Sequence, residues 1–218
     1  MTVEEYIDKC LQLNLNLKDG ISGEYKLSSC VYEKGTKYAI VPNDLQSAIM
    51  GDSYKVINLE NSFRYYDLFK GNERLMTGDG IEMYEQYVPY LRAKGRVLIG
   101  GLGLGYIARL MCDKYNVEKV TVIEFSSDVI KLCGFKHDKL ELINNDFYDY
   151  IRKENLNSFN YIYIDTYTAG DEIYPEIIIP TRRFLLSNYP TIPFDFWQDD
   201  KLKIKYLLDN KLINAAQK

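Results

Sequence analysis

The chain is poor in several residue types on which enzyme chemistry often rests. It has one histidine, His137. A histidine-based metal site or a Ser-His-Asp triad would therefore depend on that residue alone, and its surroundings, GFKHDK, read as a loop. The four cysteines, Cys10, Cys30, Cys112 and Cys133, form no CxxC pair and lie beside no histidine at ligand spacing. They are expected to be reduced structural thiols, and no metal site is expected. No apolar run approaches the length needed to cross a bilayer. The first residues, MTVEEYIDKC, are acidic and helical in pattern, with neither the basic nor the apolar region of a signal peptide. A cytoplasmic protein with no membrane association is the expectation. Basic excess is missing too: the net charge is −4. That argues against a nucleic-acid partner, which usually meets a basic face, and suits a small cationic ligand better. Nor is there an N/D-PP-Y/F motif.

What the chain does have is a change of pattern along its length. Residues 3–13 carry helical periodicity. Between about Gly23 and Thr77, short runs of strand character (EYKLSSCVYE, KYAIVP, YKVINL, FRYYDLF, ERLMT) are broken by turn residues, with DLQSAIM as one helical turn. From Gly80, IEMYEQYVPYLRAKG is helical in pattern. Then RVLIG, KVTVIEF, LELINND and FNYIYID alternate as strands with the helices YIARLMCDKY, SSDVIKLCGF and FYDYIRKENL. That alternation predicts an α/β fold with a doubly wound parallel sheet. The rest reads as a helix (EIYPEIIIPTRRFLLSNY), a strand (TIPFDFW) and a closing helix (DDKLKIKYLLDN). Two regions are expected: 1–78, a helix plus a β-rich piece, and 79–218, a Rossmann-like domain. The twenty tyrosines are expected mainly at the edge of the core and imply no function by their number.

Chemistry concentrates at the strand ends. VLIGGLGLGYIARL places Gly101, Gly103 and Gly105 directly after a buried strand and before a helix. Glycine permits unusual backbone angles there and lets a ligand lie against the backbone. The next strand ends in Glu124–Phe125, an acid placed to accept from ribose hydroxyls. The third ends in Asn145–Asp146–Phe147, where a side chain can reach an adenine amino group and an aromatic ring can stack. The fourth ends in Asp165. Four parallel strands thus deliver polar residues to the carboxyl edge, where such sheets bind ligands. An NAD-type site shares the first two features, but Tyr106 stands where the dinucleotide fingerprint has its last glycine.

The stretch Leu75–Gly170 resembles class I S-adenosylmethionine (SAM)-binding enzymes, and two branches in particular. ERLMTGDGIEMYEQYVPYLRAKGRVLIGGLGLG is similar to the spermidine synthase branch, with a β-rich region ahead of it and Ile99 where most methyltransferases carry an acid. LMTGDGIEM and Ile164–Asp165–Thr166–Tyr167 resemble guanidinoacetate and related arginine N-methyltransferases. The resemblance implies SAM, or decarboxylated SAM, held by Gly101, Gly103, Gly105, Glu124, Phe125, Asp146, Phe147 and Asp165. It also implies a catalytic set of Asp165, Tyr167 and Asp79, with Glu82 in support. Two departures stand out. Aminopropyltransferases place a second aspartate three residues after the first, where this chain has Thr168; Asp171 or Glu172 would have to substitute. The stretch after Asp165 is also short for the usual terminal hairpin, so a shortened C-terminus and a homo-oligomer are expected. The function implied is methyl transfer to a small, cationic amine or guanidine. The alternatives are aminopropyl transfer and a non-catalytic SAM-binding or SAM-depleting protein.

Overall fold

The structure is a computed structural model, and it describes residues 5–6, 9–10, 13, 16–40, 55–58, 62–167, 172–199, 202–203 and 206. DLQSAIM and most of the closing helix lie outside the described residues, as do Thr168 and Asp171. The N-terminal strands are β1 (Gly20–Ser22), β2 (Tyr25–Tyr32), β3 (Lys37–Ile40), β4 (Lys55–Asn58), β5 (Phe63–Lys70) and β6 (Glu73–Thr77). Four of them form an antiparallel sheet in the order β1-β2-β5-β6, while β3 and β4 pair as a separate ribbon. A bulge between Leu68 and Phe69 interrupts the β5–β6 register just before Met76. Such an extra residue kinks the strand and re-aims its neighbours.

Helices α1 (Gly80–Glu85) and α2 (Tyr87–Arg92) follow, where the sequence pattern predicts one continuous helix. The break falls at Gln86, and Pro89 accounts for it: proline has no N–H to give to the carbonyl of residue 85, so it is tolerated only in a first turn. Next come β7 (Gly95–Gly100), α3 (Tyr106–Cys112), β8 (Val117–Glu124), α4 (Ser127–Cys133), β9 (Leu140–Asn144), α5 (Phe147–Lys153) and β10 (Tyr161–Ile164). A five-residue π turn, Tyr174–Ile178, leads into α6 (Ile179–Asn188), and β11 (Phe194–Phe196) is the last strand described.

The five strands β7–β11 are all parallel, in the order β11-β10-β7-β8-β9. Counted from β7 this is 5-4-1-2-3, the doubly wound order that reverses between its first and fourth strands. Side-chain alternation assigns the two faces. Val97, Ile99, Val120, Val122, Tyr161 and Tyr163 belong to one core with α3 and α4. Leu98, Ile123, Ile162 and Ile164 belong to the other, with Phe147 and Ile151 of α5 and Leu185 of α6. Burial on both faces explains why these strands are continuous apolar runs rather than alternating ones.

The antiparallel sheet leans on the parallel one. The Ser22 hydroxyl donates to Asp128 of α4 at 2.7 Å, and Leu27 and Leu68 are fully or almost fully buried in the α3–α4 core. This contact carries β6, and with it Met76, to the mouth of the glycine loop. Among the described residues no helix is long and apolar enough to cross a membrane.

Candidate active site

The reversal of strand order puts the crevice between the carboxyl ends of β7 and β10. The Asp165 amide donates to the Gly100 carbonyl at 2.9 Å, so the glycine loop and the end of β10 are stitched together where they enter the cleft. The cleft has a volume of about 540 Å³. Gly101, Gly103, Glu124, Phe125, Asp146, Phe147, Asp165 and Tyr167 all contribute to its walls. The structure therefore brings together most of the residues that the sequence singles out. Gly105 and Asp79 are not among them.

The three loop glycines do different work. All have positive φ, at 87°, 51° and 82°. A Cβ at Gly101 would stand 2.0 Å from the Asp165 carbonyl oxygen, so this glycine exists for strand closure. A Cβ at Gly103 would meet only the Met76 side chain, at 2.3 Å from its sulfur and 3.1 Å from its methyl carbon. Gly105 starts α3 and has only ordinary contacts at 3.4 Å.

Glu124 is 9% exposed, and both its carboxylate oxygens are engaged. Oε2 accepts from the Leu102 amide at 2.8 Å and Oε1 from the Ser126 amide at 2.7 Å. It ties the glycine loop to the loop after β8, and each oxygen keeps a further lone pair for a hydroxyl donor. Phe125 is 76% exposed at the rim, a ring with no cover on its outer face. Asp146 caps α5 through the Asp149 amide at 2.8 Å. Phe147 is part of the floor. It lies nearly buried against Gly100, where a Cβ would come within 2.7 Å of its ring, so it supports the crevice from below.

The acidic end of the cleft differs from the sequence expectation. Asp79 is a helix cap: its Oδ1 accepts from the Glu82 amide at 3.2 Å. The acid that this segment sends into the cleft is Glu82, whose Oε2 accepts from the Thr77 amide at 2.9 Å. Burial pushes the Glu82 carboxyl up to about 9, with the charges of Asp165, Glu85 and Asp79 adding to the shift. Burial likewise raises Asp165 to about 7, against the Tyr163 hydroxyl, which donates to its Oδ2 at 3.4 Å. Desolvation disfavours an ionised carboxylate, and two neighbouring acids discourage each other's second charge. Nearby, Glu85 accepts from Gln198 at 2.7 Å. Among the described residues no group of three or more His, Cys, Asp or Glu is arranged to hold a metal ion.

One further wall was missed from sequence. Trp197 follows β11 and lines the cleft, its indole N–H buried without a hydrogen-bond partner. Its ring lies 6.1 Å from that of Tyr167, whose hydroxyl donates to the Trp197 carbonyl at 2.7 Å. Tyr167 is thus tied back to β11, and what it offers the cleft is its ring and the lone pairs of its oxygen. The signal for Trp197 was its place at the end of a fifth parallel strand. Glu172, considered as a substitute base, is exposed in a turn, and His137 lies in the loop after α4, its Nδ1 accepting from the Lys139 amide.

The parallel order and the crevice at its reversal define a Rossmann-like α/β domain. No family model and no curated protein matches the chain. Among solved structures it is similar to a spermidine synthase from Thermotoga maritima, at 24% identity over 51% of this chain and 43% of that one, with a TM-score of 0.38. A spermidine synthase in complex with the transition-state analogue AdoDATO covers 97% of this chain and 75% of its own, at 17% identity and a TM-score of 0.47. A protein from Streptococcus mutans described as a SAM-dependent methyltransferase covers 68% and 45%, at 14% identity and a TM-score of 0.41. The chain thus spans less than half the length of the first and third. These are likenesses of backbone, and the reading of the site rests on its own geometry.

Proposed function

We infer that the chain is a SAM-dependent transferase acting on a small cationic amine or guanidine, with methyl transfer as the leading chemistry. The observation that carries this reading is the meeting, in one cleft, of a glycine-floored nucleotide seat with two carboxyls whose affinity for protons is raised. The seat fits an adenosyl ligand: the backbone at Gly103 is covered only by the flexible Met76 side chain, and Glu124 stands braced at the loop edge with lone pairs to spare. Bound SAM supplies an alkyl group already activated on a sulfonium. The remaining tasks belong to the protein.

An ammonium or guanidinium is not nucleophilic until it loses a proton. Asp165, at about 7, is matched to accept one near neutrality, where an ordinary aspartate near 4 would be a poor base. Glu82, at about 9, enters as the neutral acid and gives up its proton when a cation settles beside it. Trp197 and Tyr167 offer aromatic faces to the same cation. Asp165 would take the proton that the acceptor nitrogen gives up as it is alkylated, and the sulfonium of bound SAM would supply the carbon and leave as a neutral thioether.

Aminopropyl transfer is the second reading, because among the described residues no arginine lines the cleft to take the carboxylate of a guanidino acid, and Lys70, which does line it, is paired with Glu24 at 3.4 Å, whereas a plain diamine has no carboxylate to hold. The test is incubation with SAM, or decarboxylated SAM, and a panel of amines and guanidines, with mass spectrometry of products. S-adenosylhomocysteine marks methyl transfer, and methylthioadenosine marks aminopropyl transfer. Asp165→Asn is expected to keep SAM affinity within a few-fold while lowering turnover by roughly 10²-fold. An acceptor whose turnover is untouched in Asp165→Asn refutes the role of that residue. Firm SAM binding with no turnover on any acceptor favours a binding protein instead.

A further inference from the structure

Four amides of the glycine loop have partners, and the Gly101 amide donates to the Ile123 carbonyl at 2.9 Å. The Leu102 amide goes to Glu124, the Gly105 amide to the Leu102 carbonyl at 2.9 Å, and the Leu104 amide to the sulfur of Met76 at 3.2 Å. The last is unlike the others. A thioether is a weak acceptor, so this N–H has a partner that any ligand oxygen would better. The same sulfur stands over Gly103, where a Cβ would lie 2.3 Å from Sδ and 3.1 Å from Cε. Met76 therefore fills the open backbone that makes the loop a seat. It does so on the one side chain of its size with three freely turning bonds and no branch, which is easily moved. It arrives from β6, just past the bulge at Leu68/Phe69, and lines the cleft.

We propose that Met76 is a built-in occupant of the cofactor seat: its thioether covers Gly103 and takes the Leu104 amide proton until a ligand's tail displaces it. The proposal rests on the reading of the cleft as an adenosyl site and adds a consequence to it. Ligands that reach the loop must expel Met76, while a ligand held only at Glu124 and Phe125 need not. Binding of the former is weakened by the fraction of time the loop is covered, and uncovering it restores the difference.

The experiment uses the full chain carrying ¹³C-methyl methionine, with the Met76 signal among the five methionines assigned by its loss in Met76→Leu. Titration with S-adenosylhomocysteine, which carries a tail, is expected to shift the Met76 methyl and the Leu104 amide. Adenosine, which has no tail, is expected to bind and shift neither. Met76→Ala is expected to bind S-adenosylhomocysteine at least about threefold tighter, as follows if the loop is free less than about a third of the time, with adenosine affinity unchanged. The wild-type titration needs no variant to fold, and Met76→Leu keeps the volume should alanine not be tolerated. If S-adenosylhomocysteine binds with the Met76 methyl unmoved, or binds Met76→Ala no tighter, the proposal is overturned. If NAD binds in place of S-adenosylhomocysteine, the SAM reading falls, and the same two signals decide the proposal with NAD as probe. If no nucleotide binds either protein, Met76 is not keeping a seat and the proposal falls.

Discussion

Replacing Gly101 by alanine separates packing from ligand binding in the glycine loop. The new methyl would stand 2.0 Å from the Asp165 carbonyl oxygen and 3.0 Å from its carbon, well inside ordinary contact. That neighbour cannot drift away, because the Asp165 amide holds the Gly100 carbonyl at 2.9 Å and β10 pairs with β7 through Ile164 and Gly100. Relief requires prising the two central strands apart. Overpacking of this kind costs about 1–3 kcal/mol. A non-glycine residue at φ 87° adds about 1–2 kcal/mol, and a weakened ladder bond adds roughly 1 kcal/mol more. The total, about 3–6 kcal/mol, is a large part of the stability of an ordinary domain. Gly105→Ala meets only 3.4 Å contacts and pays the backbone term alone. Gly103→Ala has to push aside only the flexible Met76 sulfur. Urea unfolding of the three variants, followed by tryptophan fluorescence without ligand, is expected to rank Gly101→Ala as far the least stable. A Gly101→Ala protein within 1 kcal/mol of Gly105→Ala would refute the reasoning and return this glycine to the ligand.

The raised carboxyls make stability depend on pH. Between their unfolded values near 4 and their folded values of about 7 and 9, Asp165 and Glu82 hold protons in the native state that the unfolded chain has lost, so their contribution falls as pH rises. Glu82→Gln is therefore expected to gain melting temperature relative to wild type from pH 5 to pH 9, and a constant difference would show that Glu82 is an ordinary exposed acid. Glu124→Gln can keep only one of the two amide bonds, and is expected to lose about 1–2 kcal/mol of stability even without ligand; unchanged thermal unfolding would mean that the carboxylate does not brace the loops. Trp197→Leu is expected to raise the KM for a cationic acceptor while leaving cofactor affinity alone, which steady-state kinetics and calorimetry check together. An altered cofactor affinity with unchanged KM would move Trp197 out of the acceptor's half of the cleft.

The alternation of apolar runs with helical segments, and the glycines directly after RVLIG, were enough to derive a parallel doubly wound sheet and the carboxyl edge where its polar strand ends gather from the sequence. Those features are local: a strand buried on both faces must be apolar throughout, and a strand-to-helix turn open to a ligand needs small residues. The roles of individual side chains were settled elsewhere. Asp79 and Glu82 sit three residues apart on one segment, and only the helix start decides that the first caps and the second enters the cleft. The proton affinity of Asp165 comes from burial and from Glu85, which is distant in sequence. Met76 and Trp197 reach the site from β6 and from the end of β11, through a sheet contact and a strand order that no short-range pattern records. Strand ends are written in the sequence; what faces them across a cleft depends on long-range packing, and here that packing determines which groups meet.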